Sequence, residues 1–184
     1  IVLPLLAAQL LWINLATDAA PALALGVEPR EPELMRMPPR PPNEHVITAR
    51  MWRDIVLVGL VMAVGTLLSL DAHLPGGLID GDRQLVEAQS IAFTTMVLFQ
   101  VFNVLNSRSA TASAFARPFS NRWIWIAIAI VLALQLAVLQ IPALQTAFGT
   151  TALSLWDWAV CAAVASSVLW FVELQKWTVR RGRR

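Results

Sequence analysis

Charge is scarce in this chain: 14% of its 184 residues are Asp, Glu, Lys or Arg, against about 25% in soluble domains. That shortage argues against an ordinary solvated surface, and the 57% apolar content points to lipid instead. Cysteine is almost missing. Cys161 stands alone inside an apolar window, so no disulfide framework or thiolate metal cluster can be built within the chain; it reads as a small packed residue. Lysine is as rare, one against thirteen arginines. With abundant Ala and Leu, this bias fits the plasma membrane of a GC-rich bacterium. There is no phosphate-cradling glycine loop, zinc spacing or nucleophile elbow, so no catalytic residue is assigned. The net charge is only +2, and the basic residues sit in separate blocks, so nucleic acid is not an expected partner. The opening IVLPLLAAQ has no initiator Met, basic n-region or cleavage pattern, and is expected to be a cut end rather than a signal peptide.

What is present is five apolar windows, at about residues 3–26, 52–70, 88–105, 123–141 and 153–173. A helix of about 20 apolar residues crosses the hydrocarbon core, and lipid-exposed backbone must satisfy its own hydrogen bonds, which favours helices. The expectation is an all-α membrane protein, a bundle of five transmembrane helices, with residues 1–184 forming one transmembrane domain in the lipid bilayer. Between the first two windows, residues 27–51 hold six of the eleven prolines; proline cannot continue a helix interior, so this is an extended solvent-facing loop. The third window is diluted by Gln89, Ser90, Thr94, Thr95, Gln100 and Asn103. Either it packs against polar partners inside a bundle or it is not a span.

Basic residues decide between these. Five Arg lie around residues 30–53, three around 108–122 and five Lys or Arg in the tail, while the two intervening loops share only Arg83. The positive-inside rule makes the basic set cytoplasmic, with residue 1 outside and Arg184 inside. Removing the third span would put a basic block on the wrong side. Trp52, Trp123, Trp125, Trp156, Trp158 and Trp177 sit at window ends as interface anchors. Asp157 and Glu173 bound the fifth window and reach interface water, and His45 and His73 are solvated loop residues.

The stretch LLWINLATDAAPALALG, residues 10–26, spends an amide, a hydroxyl and a carboxylate inside an apolar run. Asn14, Thr17 and Asp18 are spaced i, i+3 and i+4, one face of an α-helix. An ionised Asp at membrane depth costs several kcal/mol (a contested figure) unless it is paired or coordinating. Two readings follow: an ion site, or an interhelical hydrogen-bond cluster that glues the bundle. Carboxylate, amide carbonyl and hydroxyl form an oxygen-only set suited to Ca2+ or Mn2+ rather than zinc or copper. Pro21 removes a backbone donor near this face and frees carbonyls to point at an ion.

QLLWINLATDAAPALALGVEPREPELMRMPPRPPNE resembles the sixth transmembrane helix and following cytoplasmic loop of type II P-type ATPases, in the calcium-pump branch. FQVFNVLNSRS is similar to the family's eighth helix, and NRWIWIAIAIVLALQLAVLQIPALQTAFGTTALSLWDW to its ninth and the start of its tenth. The resemblance covers essentially the whole chain in the family's order. It implies that Asn14, Thr17 and Asp18 bind the transported ion, with Asp18 the central carboxylate and Asn14 on the calcium rather than the sodium/potassium side. Gln100 falls where two-site calcium pumps carry a glutamate, a departure that makes the chain resemble single-site pumps. Ala19 replaces the family's usual glycine, which bears on how far the helix unwinds. The loop Glu28 to Pro42 corresponds to the link to the phosphorylation domain; read from the residues alone it is a plain solvated connector.

The family's Asp-Lys-Thr-Gly phosphorylation motif does not occur here. By the resemblance this chain is not catalytic alone, and its partners are the rest of the same pump: the first five transmembrane helices and the cytoplasmic domains, where Mg2+ and ATP belong. The implied mechanism is phosphorylation coupled to alternating access, with Asp18 exchanging ion for proton. The competing reading is a stand-alone five-span membrane protein with a structural or regulatory role.

Overall fold

The computed structural model describes residues 3–29, 47–76, 81–109, 113–115 and 118–182. Helices α1 (Ala7–Ile13) and α2 (Ala19–Gly26) flank a π-helical turn, Asn14–Asp18. Then come α3 (Ala49–Asp71), α4 (Leu85–Ser107), α5 (Arg122–Gln140), the short α6 (Pro142–Phe148) and α7 (Leu155–Gly182). Among the described residues there is no strand. Four helices are long and apolar enough to cross a membrane: Met51–Asp71, Leu85–Ser107, Arg122–Gln140 and Leu155–Arg181. The first window is not among them, because the π turn divides it into short α-helical pieces.

Local chemistry sets the ends. Thr48 Oγ1 accepts from Met51 N at 3.3 Å to open α3, and Asn121 Oδ1 accepts from Trp123 N at 2.9 Å to open α5, satisfying donors that a helix start leaves orphaned. Pro142 starts α6 at the position where its missing N–H costs nothing. Gly149 ends α6 at φ 60°, ψ 42°. A Cβ there would lie 2.6 Å from Leu6 Cδ1, so the glycine answers both a left-handed backbone and a close contact. Gly149→Ala is expected to lower stability by at least about 1–2 kcal/mol, read from thermal unfolding in detergent. Unchanged unfolding would contradict this account of the turn.

Helix α4 is the centre of the bundle. Of its membrane-length window 61% is buried, against 22% for α3, 39% for α5 and 28% for α7. Phe93, Val97 and Val101 pack with Ile13, Ala24, Ile124 and Val131, while Ile91, Leu98 and Phe99 pack with Met62, Cys161 and Val168. Cys161 is buried, its Sγ 3.7 Å from the Ile91 carbonyl. Gly65 lets α3 close on α4, since a Cβ at that position would stand 2.5 Å from the fully buried Phe99 ring. The polar character of the third window is thus explained by burial within the bundle. Ser90 and Thr94 donate back to carbonyls four residues earlier, at 2.7 and 2.8 Å, and Gln89 Nε2 donates to the Leu3 carbonyl at 2.7 Å.

Hydrogen bonds also sort the two ends of the bundle. At one end Gln9 Nε2 donates to the Phe148 carbonyl and Arg83 pairs with Asp157. At the other, Arg108 pairs with Glu28 and Lys176 Nζ donates to the Asn106 carbonyl. Residues 7–26 therefore run from the first end to the second, about 30 Å of helix. Residues flanking all three basic blocks meet at the second end.

Candidate functional site

The turn Asn14–Asp18 carries the predicted ligands, and its conformation has a local cause. Pro21 has no N–H, and its ring crowds the carbonyl four residues back, that of Thr17. The helix relieves this by widening to a π turn rather than by unwinding: Ala19 keeps right-handed helical angles, φ −64° and ψ −59°. Single π turns inside α-helices are frequent at functional sites.

The widening changes which residues share a face. On a regular α-helix Asn14 and Thr17 would project together, but here Asn14 is exposed and Thr17 is 4% exposed. A turn that closes on the fifth residue advances each side chain by a smaller angle, which rotates Thr17 away from Asn14 into the bundle. The Thr17 hydroxyl donates to the Ile13 carbonyl at 2.5 Å. Its proton is committed to that bond, and its oxygen lone pairs are left to accept a cation. Asp18 closes the turn, and its side chain is not among those described.

A chain of polar contacts that the sequence reading passed over braces the helix just before the turn. Trp12 Nε1 donates to Gln135 Oε1 at 3.2 Å, Gln135 Nε2 to Thr94 Oγ1 at 3.3 Å, and Thr151 N to Ser90 Oγ at 3.0 Å. Gln135 is fully buried. Its signal was available: it is a lone amide in the otherwise apolar middle of the fourth window, and a buried amide needs partners.

Gln100 faces elsewhere. It lines a cavity of about 600 Å³ between α3, α4 and α7, together with Asn103, Asn106, Arg53 and Lys176. None of the π-turn residues lines that cavity, so this chain does not by itself bring Gln100 to Asn14 and Thr17. Asn106 is 4% exposed, and its Oδ1 has no hydrogen-bond partner among the described residues. Also among the described residues, no three His, Cys, Asp or Glu side chains gather into a metal cluster.

Other predicted residues fall outside the turn. Asp157 was expected at interface water but is 3% exposed; Arg83 Nη2 donates to its Oδ1 at 2.8 Å and Ser154 N to its Oδ2 at 2.9 Å. Burial opposes the charge on Arg83, but hydrogen bonds to Glu87 and Asp157 hold its guanidinium above the ordinary value. Glu173 accepts from Ala114 N at 2.6 Å. His73 is half-buried rather than solvated, with Nδ1 donating to the Ser69 carbonyl at 2.7 Å. Trp52, Trp123, Trp125, Trp156 and Trp177 are exposed, as interface anchoring requires, whereas Trp158 is half-buried against the core beside Cys161 and Val168. His45 and the loop from residue 30 to 46 lie outside the described residues.

Comparison with known proteins meets this geometry from a second side. Residues 2–178 match the family described as "Cation transporting ATPase, C-terminus". The chain is 38% identical over 178 residues to "Calcium-transporting ATPase 1" of Yarrowia lipolytica, covering 96% of this chain and 19% of that protein. It is 35% identical over 164 residues to "Calcium-transporting ATPase" of Bacillus subtilis, covering 89% and 18%. To "Calcium-transporting ATPase type 2C member 1" of Homo sapiens it is 35% identical over 181 residues, covering 98% and 19%. The chain thus spans about a fifth of the length of these relatives. With four membrane-length helices and a match along nearly its whole length, this multi-pass membrane chain belongs to the cation transporting ATPase family, in its C-terminal region.

Proposed function

We propose that this chain is the C-terminal membrane part of an ATP-driven calcium pump and that its π turn supplies ligands for the transported ion. The observation that carries the reading is the π turn itself, at the stretch holding Asn14, Thr17 and Asp18. The calcium-transporting relatives favour calcium, and Mn2+, which takes the same oxygen ligands, is the second candidate cargo. Mg2+ and ATP act in domains that this chain does not contain, and phosphorylation there drives alternating access, with Asp18 exchanging ion for proton. The stem of the Pro/Arg loop links the turn to those domains.

Residues 7–26 form a fifth crossing, supported by their course from one end of the bundle to the other. The end where Glu28, Arg108 and Lys176 lie, which adjoin the three basic blocks in sequence, is cytoplasmic by the positive-inside rule. Gln100, a neutral residue facing a separate cavity, supports a pump with one ion site.

The upstream reading frame tests the reading directly: it is expected to run open into a segment encoding Asp-Lys-Thr-Gly, and a stop codon or a start codon just before Ile1 would overturn it. Within the full-length pump, Gln100→Glu is expected either to add a second bound calcium or to shift calcium affinity by about fivefold or more. No change in either would show that the cavity at Gln100 takes no part in ion binding.

A further inference from the structure

At the end of α2 the structure holds a polar cluster for which the sequence reading had no role. Glu28 lies directly after the helix, and both of its carboxylate oxygens are engaged. Arg108 Nε and Nη2 donate to Oε1 at 3.1 and 2.9 Å, and Asn121 Nδ2 donates to Oε2 at 2.7 Å. The same Asn121 Nδ2 donates to the Ala24 carbonyl at 2.8 Å, one of the carbonyls that a helix end leaves without an internal partner. Arg108 is anchored in turn by Ser120 Oγ at 2.5 Å and by the Pro118 carbonyl at 3.4 Å. The pair is shielded, with side-chain exposures of 7% for Arg108 and 18% for Glu28. Asn121 is 3% exposed and also caps α5.

Three elements thus meet at one carboxylate: the end of α2, the end of α4 and the start of α5. Helix α2 is only eight residues long and joins the π turn to this cluster without a break. A short helix transmits a shift at one end to the other. With Trp12 tied to Gln135 before the turn and Glu28 tied to Arg108 after it, the π turn is suspended between two fixed points. Such anchoring lets ligands stand in place before the ion arrives, and rigid support of this kind is what a binding geometry depends on.

We propose that Arg108 is a positioning residue for ion binding: through Glu28 it fixes the end of α2, and thereby the geometry of the π turn. Arg108 touches no ion. Its effect falls on affinity rather than on the saturated rate, because excess ion offsets a displaced site by mass action while the chemistry in other domains is untouched. This rests on the calcium-pump reading above.

The test is calcium-stimulated ATP hydrolysis by the full-length pump in membrane vesicles, titrated with free calcium. Arg108→Gln and Glu28→Gln are each expected to raise the half-saturating calcium concentration by about fivefold or more, with the rate at saturating calcium within about twofold of the parent. Arg108→Lys keeps the charge but not the planar fork that gives Glu28 two parallel bonds, and is expected to fall between parent and Arg108→Gln. The exchanged pair, Glu28→Arg with Arg108→Glu, is expected to recover part of the affinity lost in either exchange alone.

Parental calcium dependence in Arg108→Gln overturns the proposal, as does an equal fall in saturated rate and affinity with no recovery in Arg108→Lys, the pattern of general misfolding. Absence of calcium stimulation in the unsubstituted pump overturns the functional reading itself, and the positioning role with it.

Discussion

Asp18→Asn in the full-length pump is expected to abolish calcium-stimulated ATP hydrolysis. The substitution preserves shape and removes one formal charge from the π turn Asn14–Asp18. The other two candidate ligands in that turn are a neutral amide and a neutral hydroxyl, and the hydroxyl of Thr17 already gives its proton to Ile13. A hard divalent cation held by oxygens depends on ligand charge for its affinity, and a low-dielectric membrane interior strengthens that dependence. The loss expected is at least about 100-fold in apparent calcium affinity, or about 3 kcal/mol. Asn14→Ala should cost less, about tenfold, because it deletes one neutral oxygen. A pump that keeps normal calcium dependence with Asn at position 18 would return the trio to the bundle-glue reading.

The second large effect concerns stability at the opposite end of the bundle. Ser154 and Asp157 form a reciprocal cap at the start of α7: Asp157 N donates to Ser154 Oγ at 3.2 Å, while Ser154 N and Oγ donate to Asp157 Oδ2 at 2.9 and 2.6 Å. Arg83 adds bonds to both oxygens at 2.8 and 3.3 Å. Asp157 is 3% exposed and Arg83 28%. Asp157→Ala therefore removes a helix cap, leaves the partly exposed Arg83 guanidinium with Glu87 alone and unties the α3–α4 loop from α7. Loss of a helix cap costs about 0.5–2 kcal/mol and loss of a partly exposed ion pair about 1 kcal/mol or less, so with the Arg83–Glu87 contact remaining the expectation is about 2 kcal/mol. Thermal unfolding in detergent measures it. An effect below about 1 kcal/mol, the range of exposed pairs, would show that water screens this cluster.

Much of this architecture was legible because lipid imposes few solutions. Windows of about 20 apolar residues read as helices, and the segregation of arginines marks the polar third window as a helix of the bundle, where α4 lies at the centre. The π turn was not legible as such: Pro21 announced a disturbance, but whether the helix would unwind or widen depended on Ala19 accepting helical angles. That choice decided the face of Thr17, which regular helical spacing had put beside Asn14. Gln135 was overlooked because a single amide hardly alters an apolar average, although its burial obliges it to find Trp12 and Thr94. Asp157 lay at a window edge, where the sequence does not distinguish a solvated carboxylate from one enclosed by a distant arginine. The Arg108–Glu28 pair is separated by 80 positions, and only the folded bundle brings the two together.

Equilibrium binding of radioactive calcium to the purified full-length pump measures whether the π turn of residues 14–18 binds the transported ion, without any dependence on turnover. Saturable binding of about one calcium per pump is expected, lost in Asp18→Asn while the purified variant remains folded. Undiminished calcium binding by the folded Asp18→Asn pump would contradict it.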